Sequence, residues 1–418
     1  MPTWCIWDES AEHVWHHKTS CSRPRGCLRM QMRTTHARRI LITLAACVAL
    51  LAIPALASAN KNLRTGFLDN SYVISDPAGF WADAVDLNVG FMRWDVQWVH
   101  MAANKPTNAR NVEDPAYIWG ATDNFVRQAA EHGLQDRVMF TLWATPKWAS
   151  SLKASGTTAD MPKIDAWRAF VHVVATRYSG NYTPPGATTP LPRVISYETW
   201  NEPNASFALR PQIVNGKAVS PGNYVKLLNA LKSEVTKAVS FKPTFVAGAL
   251  YKQGGPRSVT PINFLRGMKA AKAKFDVLSM HPYNNTPRLG LKDGLEQSKT
   301  NPKFIGIGNF DTFITLSNQI FGKKHPIWVT EFGWQTPSSG KNQYVATVKQ
   351  QAQFAYEAVL RLKQLPQVER AAWFLLRDDP PGNGMFYTTG LRYNNGTKKP
   401  SFNTWMSATT KLQRSPIR

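Results

Sequence analysis

Val194-Ile195-Ser196-Tyr197-Glu198-Thr199-Trp200-Asn201-Glu202-Pro203-Asn204 opens as a β-branched and aromatic run and closes in a polar turn. The composition over Val194–Trp200 is that of a strand, and Asn-Glu-Pro-Asn ends it while leaving a carboxylate at its C-terminal tip. Helical patterns flank it on both sides. In Ile164–Tyr178, Trp167, Phe170, Val171, Val174 and Tyr178 recur at spacings of three and four, which puts them on one face. Tyr224–Val239 follows as the next helix.

Working outward, the same alternation continues in both directions. Strands are expected at Arg64–Leu68, Val89–Asp95, Arg137–Leu142, Thr244–Gly248, Val277–Met280, Ile327–Thr330 and Arg370–Leu375. Helices are expected at Asp76–Leu87, Trp119–His132, Ile262–Ala273, Phe310–Phe321, Gln343–Leu362 and Phe402–Leu412, with loops at Asn181–Pro192, Arg210–Ser220 and Lys252–Thr260. Eight strand–helix units imply parallel pairing through crossovers, and so an α/β fold of the (β/α)8 TIM-barrel class. A doubly wound open sheet would carry a Gly-rich phosphate loop after its first strand, and none follows Phe67. No interdomain linker interrupts residues 60–418, which are expected to form one domain.

Composition removes other classes. The chain has 418 residues, 43% of them hydrophobic, too apolar for disorder and long enough for a large core. Its net charge of +23 raises nucleic acid as a partner, but Lys269, Lys272, Lys274, Lys323, Lys324, Lys398 and Lys399 are scattered, with no arginine-rich arm. That distribution reads as a solvated basic surface. A sharper expectation is electrostatic association with an anionic polysaccharide or cell envelope.

The four cysteines, Cys5, Cys21, Cys27 and Cys47, all precede residue 60. Residues 32–59 read as a secretory signal peptide: Arg33, Arg38 and Arg39, then the apolar run Ile40–Leu56, then the small-residue site Ala57-Ser58-Ala59. The competing readings are an uncleaved membrane anchor and a lipobox at Leu44-Ala45-Ala46-Cys47. Residues 1–31 form an upstream extension, and a start at Met30 or Met32 would suit the signal better. Cleavage after Ala59 removes 7 Lys/Arg and 3 Asp/Glu, takes the charge to +19, and leaves a cysteine-free mature chain without a membrane span. The oligomeric state is not encoded in any feature of this reading.

In a (β/α)8 barrel the chemistry sits at the C-terminal ends of the strands. Two ends carry a glutamate among aromatic and amide residues: Glu202 in the fourth strand's turn, and Glu331 in Trp328-Val329-Thr330-Glu331-Phe332-Gly333-Trp334 of the seventh. A protonated carboxyl beside an ionised one suits glycosidic bond cleavage, with no metal and no cofactor. Glu198 shares the strand parity of Trp200 and is expected to point into the barrel in a structural role. Arg93 would alternatively pair with Asp95 or another inward acid.

Trp-Asn-Glu-Pro at strand four with Thr-Glu-Phe-Gly-Trp at strand seven resembles the clan A retaining glycoside hydrolases, families 39 and 5 in particular. The resemblance implies a secreted glycosidase acting on a β-linked oligo- or polysaccharide, with Glu202 as acid/base and Glu331 as nucleophile. By the same likeness Arg93 keeps the nucleophile ionised, Asn201 meets the sugar 2-hydroxyl, and His281 and Tyr283 form the clan's supporting pair. Trp373 resembles the platform under the reacting sugar, and Trp143 and Trp148 would extend it. A non-catalytic carbohydrate-binding or envelope protein on the same barrel is the alternative.

Overall fold

The computed structural model describes residues 60–412, except 61, 153–155, 302, 338–344 and 382–385. The leader at 32–59 and the extension at 1–31 lie outside the described residues. Eight parallel strands close a barrel in sequential order: β1 (Arg64–Leu68), β2 (Phe91–Gln97), β3 (Val138–Trp143), β4 (Ser196–Thr199), β5 (Thr244–Tyr251), β6 (Val277–His281), β7 (Ile327–Phe332) and β8 (Val368–Phe374). The expected strands all form, each shifted by at most a few residues.

The helices are α1 (Asn70–Ser75), α2 (Pro77–Asp86), α3 (Trp98–Met101), α4 (Gly120–Glu131), α5 (Ile164–Arg177), α6 (Ser220–Ala238), α7 (Pro261–Ala270), α8 (Lys292–Thr300), α9 (Phe310–Phe321), α10 (Val348–Lys363) and α11 (Pro400–Thr409). Three of them, α1, α3 and α8, are absent from the periodicity, because α1 is β-branched, α3 is four residues long, and α8 buries only Asp293 and Gly294. The expected loop at Arg210–Ser220 contains a small antiparallel hairpin, Ile213–Val214 with Lys217–Ala218. The helix expected from Gln343 begins instead at Val348, where Thr347 and Gln350 form a reciprocal capping box. Among the described residues, no helix is long and apolar enough to cross a membrane.

Strand parity sorts the core into two parts. Outward-facing residues such as Phe67, Phe140, Tyr197 and Trp373 join the large cluster beneath the helices. Phe91, Met139, Val246, Val277, Trp328 and Ala372 form a separate apolar layer inside the barrel. The barrel closes where β1 pairs with β8 from Arg64↔Arg370 to Leu68↔Phe374. Asp69 ties this seam at the top: it caps α1 by accepting from Tyr72 N–H and also accepts from the Leu376 and Arg377 N–H groups. Burial pushes its carboxyl up to about 7 against those three donors.

Gly66 faces the lumen, and a Cβ there would stand 1.5 Å from the Phe91 carbonyl oxygen across the β1–β2 pair. Gly66→Ala is therefore expected to cost about 3 kcal/mol or more, or to prevent folding, whereas Gly120→Ala meets no atom within 4 Å and should be neutral or mildly stabilising. Urea unfolding midpoints of the two variants check the contrast; equal midpoints would refute this packing.

Candidate active site

Arg93, fully buried on β2, is the hub of the barrel's upper lumen. Its Nε donates to Thr141 Oγ1 at 2.8 Å on β3 and to Glu198 Oε2 at 3.0 Å on β4. Its Nη1 donates to Glu331 Oε1, and its Nη2 to Asn201 Oδ1 at 2.8 Å. Asp95, two residues along β2, lies 3.4 Å from Nη2, so the pairing with Asp95 and the pairing with the other acids coexist. One guanidinium thus fixes side chains from β2, β3, β4 and β7, which its planar five-donor fork allows.

Glu202 and Glu331 are brought together as the sequence suggests. Each is 8% exposed, and Glu202 and Glu331 oxygens and a His281 ring nitrogen lie within 4.8 Å of one another. Glu202 sits in a left-handed turn, with φ of +66° at Trp200 and +44° at Glu202, pinned by the Glu202 N–H donating to Ala249 O at 2.9 Å. Such strain in non-glycine residues concentrates at functional sites. It also overrides strand parity. Glu198 points inward to Arg93, but Trp200 turns outward, its ring 5.6 Å from Trp167 and its Nε1 donating to Ala208 O.

The two carboxyls differ in surroundings. Burial pushes both up. At Glu331 the Arg93 charge and hydrogen bond oppose that rise, as does Tyr283 Oη donating to Oε2 at 2.9 Å. At Glu202 the His281 ring and the Arg93 charge oppose the rise, and the neighbouring Glu331 charge adds to it. The direct guanidinium bond that Glu331 receives and Glu202 does not favours the charged form at Glu331.

Donor counting around His281 bears on the proton of Glu202. Glu198 accepts from Arg93, from Thr141 Oγ1 at 2.8 Å and from Thr330 Oγ1 at 3.1 Å. With its one proton committed to Glu198, Thr330 Oγ1 can only accept from His281 Nε2, 3.0 Å away. Burial lowers the pKa of His281, which favours the neutral ring. In that neutral form Nδ1 is an acceptor, and the 3.1 Å contact from Nδ1 to Glu202 Oε1 is a hydrogen bond donated by a protonated Glu202. Thr141 and Thr330 are thus part of the site, and nothing in their sequence spacing singled them out.

The aromatic residues divide. Trp143 reaches the upper lumen, its Nε1 donating to Asp95 Oδ2 at 3.1 Å. Trp148, half-buried, donates to Ala102 O and packs edge-on against Trp98. The platform expected at Trp373 is corrected. Trp373 is fully buried among Phe332, Trp334 and Trp405 on the helix side of β8, with its Nε1 spent on Thr389 O. Ala372 belongs to the lumen layer, so parity gives the inward position to Phe374, half-buried and edge-on to Tyr387 at 4.9 Å. Counting two residues from Ala372 rather than choosing the tryptophan would have found it.

The Glu202, His281 and Glu331 spacing is one a cation could span. Both Glu331 oxygens already accept, from Arg93 and from Tyr283. A metal there would sit beside the buried Arg93 guanidinium, whose charge disfavours it.

The wider comparison decides what this geometry belongs to. Residues 198–397, which include both glutamates, match the family described as glycosyl hydrolase catalytic core. Over that stretch the chain is similar to glycosyl hydrolase catalytic cores. The chain is similar in fold to a family 39 glycoside hydrolase from the gut symbiont Bacteroides cellulosilyticus, with 17% identity and a TM-score of 0.56, over 84% of this chain and 64% of that one. It thus spans less than two thirds of that relative. A family 5 enzyme from Streptomyces cattleya in complex with GlcNAc is similar at 13% identity and a TM-score of 0.56, over 85% and 80% of the two chains. A xylanase from Thermotoga petrophila in complex with xylobiose is similar at 13% and 0.53, over 84% and 94%. No curated protein matches the chain significantly.

The hydrogen-bond chain makes a spectroscopic prediction. In 15N spectra of the His281 ring, Nδ1 is expected unprotonated in the native protein. Thr330→Val removes the acceptor at Nε2 and should let Nδ1–H donate to Glu202. An unchanged tautomer in the variant would refute the chain.

Proposed function

We propose that this glycosidase is a secreted enzyme that cleaves a β-linked oligo- or polysaccharide with retention of configuration. The observation that carries the reading is the approach of Glu202 and Glu331 oxygens to within 4.8 Å. Retaining carboxyl pairs stand about 5–5.5 Å apart, whereas inverting pairs leave room for water at about 6.5–9.5 Å.

The mechanism follows from the proton assignment. Glu331, held ionised by Arg93 and Tyr283, attacks the anomeric carbon while the Glu202 proton passes to the departing glycosidic oxygen. A glycosyl ester on Glu331 results, and the leaving alcohol diffuses away. Glu202, now a carboxylate, takes a proton from water as that water attacks the same carbon. The ester bond breaks, and both carboxyls return to their starting states. Asn201, oriented by its bond to Arg93, is placed to meet the sugar 2-hydroxyl. Trp143, Trp148 and Phe374 offer faces for the apolar side of sugar rings. The xylobiose and GlcNAc bound in the Thermotoga and Streptomyces enzymes support a sugar ligand for this cleft. Secretion rests on the leader at 32–59 and is tested by whether the chain released from cells begins at Asn60.

Glu331→Gln should lower turnover of a chromogenic β-glycoside by about 10³-fold or more while leaving sugar binding intact. Unchanged turnover would refute the assignment of Glu331, and sugar binding without turnover in the native protein would favour the alternative of a carbohydrate-binding barrel. Proton NMR of early product should show the β-anomer first; an α-anomer would overturn the retaining mechanism.

The pH profile of kcat/KM should be bell-shaped. Activity requires protonated Glu202, so its alkaline limb reports a carboxyl raised by burial above the ordinary value of about 4.3. Thr330→Val, by letting His281 donate to the Glu202 carboxylate, favours the charged form. It should move that limb to lower pH by about 0.5–1 unit. A limb that stays in place would sink the role given to His281.

A further inference from the structure

The opposite, N-terminal mouth of the barrel holds a second cluster that catalysis does not use. Arg64 opens β1, and Arg370 is its direct partner across the β1–β8 seam. Both share lumen parity, Arg64 with Gly66 and Arg370 with Ala372. Arg137, immediately before β3, has the parity of Met139 in the same lumen layer. Its charge reaches both other arginines and lowers the pKa of each, on top of the lowering by burial.

The Arg370 guanidinium lies 3.9 Å from the Trp328 ring centroid and 5.1 Å from that of Phe91, on the apolar lumen layer. The acid beside it in sequence, Glu369, accepts from Trp328 Nε1. None of the three arginines forms an ion pair among the described residues. Nη1 of Arg64 and Nη1 of Arg370 are both buried and have no hydrogen-bond partner.

Three cations at one mouth, with two buried donors lacking acceptors, form an arrangement that is costly by itself. A bound anion removes both costs at once. Guanidinium forks match tetrahedral oxyanions, which accept several N–H bonds from different directions. We propose that a phosphate or sulfate group binds between Arg64, Arg137 and Arg370 at the base of the barrel and bridges the β1–β8 seam. The ligand is a free ion or the charged end of a larger molecule. The apolar layer of Phe91, Met139, Val246, Val277, Trp328 and Ala372 lies between this site and the Arg93 network. The anion acts on stability rather than on bond cleavage, and the proposal does not depend on which glycan the enzyme cuts.

The test is thermal unfolding of the full chain at constant ionic strength in sodium chloride, phosphate, sulfate or glycerol 3-phosphate. At ten times its Kd, an oxyanion should raise the Tm of the native protein by about 2 °C over chloride. Arg370→Met keeps an apolar stem on Trp328 while removing the fork. In chloride its Tm should equal or exceed the native value, and it should lose the oxyanion response. If that variant does not fold, Arg64→Met serves the same purpose. A shift with inorganic phosphate identifies a free-ion site, and one with glycerol 3-phosphate alone identifies a headgroup site. No oxyanion-specific shift in the native protein, or an equal shift in a folded arginine variant, would overturn the proposal. Turnover of the Arg370→Met variant should match the native enzyme.

Discussion

The Arg93 guanidinium, buried at the centre of the barrel, is the interaction on which the site depends. Burying a cation that deeply is expensive unless acceptors surround it, and here four strands supply them. The requirement runs both ways. Glu198, Glu331 and Asp95 would be unpaired buried acids without Arg93, and removing one member of such a cluster leaves charge uncompensated at a cost of about 3–5 kcal/mol. Stability and chemistry therefore share one network. The cation that makes the upper lumen tolerable is also the one that opposes the rise in the Glu331 pKa.

The second consequence is a division of proton labour among three carboxyls. Glu198, Glu331 and Glu202 lie in one buried region, yet each meets a different set of donors. Glu198 accepts from Arg93 and two threonines, Glu331 from Arg93 and Tyr283, and Glu202 faces a ring nitrogen with no proton to give. The difference lies in the hydrogen positions of Thr330 and His281.

Much of this was legible in the sequence because its signals are local. The alternation of apolar runs and helical faces located all eight strands, and strand-end glutamates located Glu202 and Glu331. The residues missed depend on backbone details that periodicity does not carry. The positive φ at Trp200 broke the parity that would have turned Trp200 inward with Glu198. Trp373 looked like a sugar platform because tryptophan suits that role, but strict alternation along β8 sends it under α11 and turns Phe374 inward. Thr141 and Thr330 are inconspicuous residue types, and only their partners across the lumen give them meaning.

The seam between β1 and β8 joins residues about three hundred positions apart. A chain emerging from its N-terminus has β1 long before Phe374 exists, so one edge of β1 waits unpaired until the last strand arrives. Asp69 likewise waits for the Leu376 and Arg377 amides. Ring closure is thus a late event set by chain length, and until then the barrel is an open sheet with two exposed edges. The same span of sequence makes this seam the longest loop that any strand pair of the barrel must close, so its entropy cost falls on the final pairing.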